Sequence, residues 1–346
     1  MKITAKVATL VLGAIFALPL VNAQTYTVTD LGVLTGSYSE GTSVNNVGAV
    51  AGIASTSLDI FTHAFLWTKK GGIKDIGSLG GDLSYGLGIN DFGVVVGGSQ
   101  TTNDAATHAF VYNSSKLSIS DLGTLGGTFS QANGINLLGQ VVGASTTVGD
   151  ASTHAFYWDS KKGMKDLGTL GGSNSSANAI SALSVAVGSA DLADGVTTDA
   201  ALWDSKGIHD LGNLGGAGIS GEANGVNALG QVVGDSGTTV GEIHGFFYSA
   251  GKTTDLGTLG GTFSSAAGIN LVGQVVGTAT IANDADYNAF LWTAKSGMVN
   301  LNTVIPSTSG WDLETASSIN AVGQIAGTGY INGALHAYLL TPVPRT

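Results

Sequence analysis

THAFYWDSKKGMKDLGTLGG, residues 153–172, decides how this chain folds. His154 opens an aromatic run, Ala155-Phe156-Tyr157-Trp158, whose composition suits a pleated, half-buried strand. A polar turn at 159–162 follows, then a second short run at 163–168. The pair Gly171-Gly172 breaks the pattern. Two strand-length runs joined by a polar turn describe a hairpin, and the glycine pair marks its end.

The hairpin recurs. Its first element starts at His63, His108, His154, Asp199, His244, Asn288 and His336, seven copies spaced 44 to 48 residues apart. The Asp-Leu-Gly element starts at Asp30, Asp75, Asp121, Asp166, Asp210, Asp255 and, altered, Asn300. A third element, clearest as Gly-Gln-Val-Val-Gly at 139–143, begins at Gly48, Gly93, Gly139, Ser184, Gly230, Gly273 and Gly323.

One unit therefore reads as four strands, at 131–136, 139–145, 154–158 and 163–168. Asn136 and Gly139 bracket the turn between the first two, the placement a type I turn prefers. The other units repeat it except at Ser181…Ser184. Four short antiparallel strands in about 45 residues describe a β-propeller blade. The phase of the ends adds closure. Residues 25–32 supply an isolated fourth strand, and residues 316–340 supply a first, second and third. The expected fold is all-β: a seven-bladed β-propeller of four-stranded blades. The N-terminal strand joins the three C-terminal strands to close the ring and hide the sheet edges.

Residues 1–23 carry Lys2 and Lys6, an apolar stretch and Val21-Asn22-Ala23, the features of a secretory signal peptide cleaved near Ala23. Residues 24–346 then form a single seven-repeat domain, secreted, extracellular or periplasmic, with no transmembrane segment. Losing Lys2 and Lys6 takes the formal charge from −11 to −13. So few cations on an acidic chain exclude nucleic acid as a partner. With no cysteine, stability rests on packing rather than disulfides.

The motifs His-Ala-Phe-Leu-Trp, Asp-Leu-Gly-Thr-Leu-Gly-Gly and Gly-Ile-Asn-x-x-Gly-Gln-Val-Val-Gly together resemble the bacterial extracellular HAF repeat family, over residues 25–340. The resemblance implies an exported repeat protein. It brings no catalytic residues to carry over.

His154 and Asp166 lie on adjacent antiparallel strands near one rim, within cross-strand reach. They invite an acid–base or metal reading. The same pairing recurs as His63 with Asp75, His108 with Asp121, His244 with Asp255 and His336 with Asp30. A catalytic pair needs only one copy, so these are expected to be structural pairs within blades. Where the histidine is Asn288, its partner is Asn300. Asp199 faces Asp210, with His209 beside it.

Acids between second and third strands (Asp59, Asp104, Asp150, Asp194, Glu242, Asp284) offer oxygen ligands for calcium, but turn formation explains them as well. No other cofactor is indicated. The Leu-Gly-Gly pairs lack the Lys-Ser/Thr and helix of a phosphate loop, and no nucleophile elbow is present.

Aromatics assigned to the blade-to-blade loops, Tyr38, Tyr85, Phe129, Phe263 and Trp311, suit a carbohydrate or peptide surface. They compete with a role as wedges between blades. The segment 301–318 escapes the repeat and adds Asp312 and Glu314. The expected function is an extracellular binding, interaction or structural module with no catalytic site. The alternative is a polysaccharide hydrolase or lyase with its site on this loop face.

Overall fold

The computed structural model describes residues 24–216 and 220–344, and the expected leader, residues 1–23, lies outside them. The described chain is all-β apart from short 3-10 turns. The third repeat unit (unit C) shows the pattern. Gly126–Ile135 pairs antiparallel with Val141–Thr147, that strand with Thr153–Asp159, and that with Gly163–Asp166. The first strand is longer than its motif suggested, because it already begins at the glycine pair.

The same order runs from Ser39–Val44 to Gly72–Asp75 (unit A) and from Gly80–Ile89 to Ser118–Asp121 (unit B). It continues from Gly171–Ile180 to Gly207–Asp210 (D), Gly221–Val226 to Lys252–Asp255 (E) and Gly260–Ile269 to Gly297–Asn300 (F). Unit G takes Trp311–Ile319, Ile325–Ile331 and Ala334–Pro342 from one end of the chain. Its outer strand, Tyr26–Asp30, comes from the other. Tyr26 faces Pro342 and Asp30 faces Tyr338 in that pairing.

The core is a set of seams between units. Val96, Ala109 and Leu122 of unit B pack against Ala132, Val141 and Phe156 of unit C. Ala326, Ala337 and Leu339 of unit G pack against Val44, Val50 and Phe65 of unit A. The aromatic of each His-Ala-Phe motif is its largest buried group, and Phe65, Phe110, Phe156 and Phe290 are wholly buried. The alanine before it is also fully covered (Ala64, Ala109, Ala155), which lets neighbouring sheets approach.

Two glycine positions explain the composition. The first of each pair bends the chain into the next unit with φ between +93° and +109°, as at Gly126 and Gly260. The last glycine of Gly-Gln-Val-Val-Gly sits against the first strand. A Cβ on Gly143 would lie 1.9 Å from the Gln131 carbonyl oxygen.

The turn asparagines do more than start a turn. Asn136 Oδ1 accepts the N–H of Leu138 and of Gln140, while its Nδ2 donates to the Ser181 carbonyl of the next unit at 3.0 Å. Equivalent bonds run Asn45 to Asn90, Asn90 to Asn136, Asn227 to Asn270, Asn270 to Asn320 and Asn320 back to Asn45. Ser181 has no amide to continue this belt toward Asn227. Ser184, in the same turn, takes φ +63° where other units use glycine.

A buried serine at the start of the first strand makes a second link. Ser130 Oγ accepts the Ala109 N–H and donates to the Gly123 carbonyl, both in unit B. Ser39, Ser84, Ser175 and Ser264 repeat this. Gly221 holds the equivalent register in unit E, opposite Ser236, so the seam between D and E lacks both links.

Candidate functional site

The recurring polar groups are occupied. Nδ1 of His63, His108 and His154 lies 2.7–2.8 Å from Asp75, Asp121 and Asp166. His244 bonds Asp255 at 2.9 Å, and His336 bonds Asp30 at 3.0 Å across the two chain ends. The aspartate also accepts the N–H of the glycine two residues on, as in Gly168 to Asp166 at 2.7 Å. Each pair thus fastens the third strand, the fourth strand and the exit turn.

At His63 the hydrogen bond to Asp75 raises the imidazole pKa, against a smaller opposing effect of burial. Burial works against ionisation of Asp75. The bonds from His63 and Gly77 outweigh it and hold that carboxyl below its usual value.

In unit F the pair survives as amides, with Asn300 Nδ2 donating to Asn288 Oδ1 at 2.8 Å. His209 does not serve its neighbours Asp199 and Asp210. Its Nε2 bonds Asp204 at 3.0 Å, across the hairpin turn. Asp199 is buried and accepts from Asn213 Nδ2 at 3.3 Å, and burial raises its carboxyl pKa.

The loop acids also have partners. Asp59, Asp104, Asp150 and Asp284 each accept a backbone N–H at the start of their own unit's first strand, from Ser37, Asp82, Thr128 and Thr262, at 2.7–2.9 Å. These contacts place the second-to-third loops on the same face as the unit-to-unit connections, and they tie these four acids into the turns. Among the described residues no group of three or more His, Cys, Asp or Glu is placed to hold a metal ion.

The aromatic set divides. Tyr85, Phe129, Phe263 and Trp311 lie on first strands rather than in loops, and Tyr38 immediately precedes one. Tyr38 bonds Thr62 through its hydroxyl at 2.9 Å, and Phe263 meets Tyr287 edge-on at 5.9 Å. Trp311 packs edge-on against buried Tyr338 at 5.9 Å, so it braces unit G. Tyr85 differs, because it shares its register position with Glu40, Gln131 and Glu222.

The position two residues further along each first strand faces the axis. First strands of all units line a common axial cavity of about 260 Å³, including Thr42, Leu87, Asn133, Asn178, Asn224 and Ser317. Its asparagines come from units C to E, as Asn133, Asn178 and Asn224. Asn178 Nδ2 donates to Glu222 at 2.7 Å, Asn224 Nδ2 to Asp235 at 3.0 Å, and Ser265 Oγ to Asp235 at 2.6 Å. Burial raises the Asp235 pKa, opposed by the Ser265 and Asn224 bonds.

A neighbouring cavity of about 450 Å³ between units F, G and A is lined by Glu40, Glu314, Thr315 and Thr328. Glu314 reaches it as the extra residue of a bulge, since Leu313 pairs with Gly329 and Thr315 with Thr328. Burial raises its pKa, and Asp286 and Asp312 add to the effect. Asp312 stays exposed and accepts from Asn302 Nδ2 at 3.2 Å.

Glu40, Glu222 and Asp235 were missed by sequence reasoning. The signal was available: at one register position, units A and E carry Glu where others carry Tyr, Gln, Ser or Thr.

No family model matches this chain, and no curated protein does. Among solved structures, the β-propeller domain of the Trilobed protease from Pyrococcus furiosus is similar over 92% of this chain and 94% of its own, with TM-score 0.56 and 8% identity. That domain is described as having an open velcro topology, whereas here Tyr26–Asp30 pairs with the last strand. The Dos1 propeller is similar over 91% of this chain and 95% of its own, with TM-score 0.50 and 11% identity. These likenesses give the fold, an all-β arrangement of the β-propeller kind.

Proposed function

We propose that this chain is an exported, seven-bladed β-propeller of the HAF repeat type, and that it works as a binding module outside the cytoplasm. Its ligand is a carbohydrate or an extended peptide taken at the axial cavity. One contrast carries this reading. The recurring polar groups are spent on bonds within and between units, while non-repeating ones border the cavities: Gln131, Glu222 and Asp235 bond the axial residues Asn133, Asn178 and Asn224, and Glu40 and Glu314 line the neighbouring cavity. Carboxylates, amides and an aromatic ring suit the hydroxyls and C–H faces of a sugar. Hydrogen bonds from Asn178 and Asn224 already hold Glu222 and Asp235 in place, which lowers the ordering cost of binding.

A glycan and peptide array tests this, followed by calorimetry on the best binder and product analysis. Binding without turnover, weakened by Glu222→Gln with Asp235→Asn, supports the module. The second reading is a polysaccharide hydrolase or lyase. Burial shifts the Asp235 and Glu314 carboxyls upward, the direction a general acid needs, and this favours it. Turnover abolished by Glu314→Gln would establish that reading.

A further inference from the structure

Every turn from a first to a second strand exposes an apolar side chain at its third position. Val47 is 74% exposed, Phe92 72%, Leu138 70%, Leu183 70%, Leu229 68%, Val272 75% and Val322 63%. The turns are closed by hydrogen bonds such as Gly48 N–H to Asn45 and Gly139 N–H to Asn136. Nothing in that geometry asks for an aliphatic group, and polar residues are the usual choice. Single exposed apolar residues are ordinary, but a contiguous set marks an interaction surface. These seven are arranged around one axis, because the residue before each of them in its turn, from Asn46 to Ala321, lines a single cavity mouth of about 340 Å³.

The lysines share that end. Every lysine from residue 24 onward lies in a third-to-fourth hairpin or on a fourth strand, from Lys69 to Lys295, and all are exposed. Antiparallel order places these hairpins at the same end as the first-to-second turns. Leu183 and Ser184 of unit D line one cleft with Lys162 and Lys165 of unit C.

Carboxylates at this end are satisfied locally. Asp91 accepts both nitrogens of Asn46, Asp159 the N–H groups of Lys161 and Lys162, and Asp204 the Lys206 N–H and His209. Among the described residues no lysine forms an ion pair within 4.0 Å; every such pair involves histidine. The loop acids lie at the opposite end.

We propose that this face docks on an anionic phospholipid bilayer. The apolar ring enters the headgroup boundary, and the surrounding lysines meet the phosphates. The loop face then points away from the membrane. A second copy fits poorly, because facing copies would oppose two lysine rims.

Sedimentation of the full chain with vesicles tests the proposal. It is expected to bind vesicles of phosphatidylglycerol mixed with phosphatidylcholine and to ignore phosphatidylcholine alone. Release is expected at about 0.5 M salt. The combined Phe92→Ser, Leu138→Ser, Leu183→Ser and Leu229→Ser variant should partition at least roughly tenfold less. Lys161, Lys162, Lys165 and Lys206 changed to Gln should remove the anionic preference. All these positions are exposed, so unchanged melting will show that the fold is intact, and residues 1–23 are common to every variant. No binding, or equal binding by the variants, would overturn the proposal. So would a dimer in sedimentation velocity that the serine variant dissolves, since the face would then belong to a second copy.

Discussion

Asn320 donates its side-chain amide to the backbone oxygen of Asn45 at 2.9 Å, across 275 residues of sequence. The bond joins the last unit to the first and completes the belt that starts at Asn45. With the Tyr26–Asp30 pairing and the His336–Asp30 bond, it ties the two ends of the chain into one body. The belt has one gap, at Ser181.

That gap gives the first prediction. Ser181→Asn should supply the missing donor toward Asn227 and stabilise the protein by about 1 kcal/mol, the net worth of one hydrogen bond. Asn45→Ala removes the bond to Asn90 and the acceptor for Val47 and Ala49, and should cost about 2 to 3 kcal/mol. Denaturant melts check both. Hydrogen exchange should show the strands flanking the D–E seam opening first, because Gly221 also lacks the serine link.

Chain closure gives the second. A chain beginning at Thr35 leaves the edge of Ala334–Pro342 unpaired and removes Tyr26 from its buried seat. Cooperative unfolding should be lost in calorimetry. A melt matching the full chain would show that the N-terminal strand is dispensable.

The histidine pairs give the third. Because folding raises the His63 pKa above 6.5, the pair's contribution is complete below that pH and fades as pH rises through the folded value. Because folding lowers Asp75 below 3.8, its share is present above that pH and is lost in acid. The melting-temperature difference between wild type and His63→Gln should therefore be largest at about pH 5 to 6 and shrink toward about pH 9. Melts in matched buffers decide it.

Packing gives the fourth. Phe156 is fully buried at the seam between units B and C. Phe156→Ala should cost about 3 to 5 kcal/mol, whereas Leu138→Ala, exposed at a turn, should change stability by less than about 0.5 kcal/mol. Equal costs would contradict the seam-core description.

The architecture was legible because it repeats. His154 and Asp166 recur at fixed spacing, so their pairing followed from strand order. The phase of the Tyr26–Asp30 segment announced its pairing with the C-terminal strands. Two features were not legible, for physical reasons. The amide of Asn136 spans two units, and a turn signature reports only local bonds. Glu314 was singled out as a loop residue, but its place on the strand Trp311–Ile319, where a bulge shifts register by one residue and turns it into its cavity, was not visible. Glu222 and Asp235, which face each other across paired strands thirteen residues apart, were legible only by comparing register positions across units and were overlooked beside the acids in loops. Trp311 drew attention by standing outside the repeat, yet it packs on Tyr338.

The central claim is that repeated residues build the body and non-repeating residues at the axis bind. Calorimetry with the best array ligand, on wild type, His154→Ala and Glu222→Gln/Asp235→Asn, tests it most directly. The expected result is a lower melting temperature with unchanged affinity for His154→Ala, and an unchanged fold with affinity reduced at least roughly tenfold for the axial variant. Affinity lost with His154→Ala and kept by the axial variant would contradict the account.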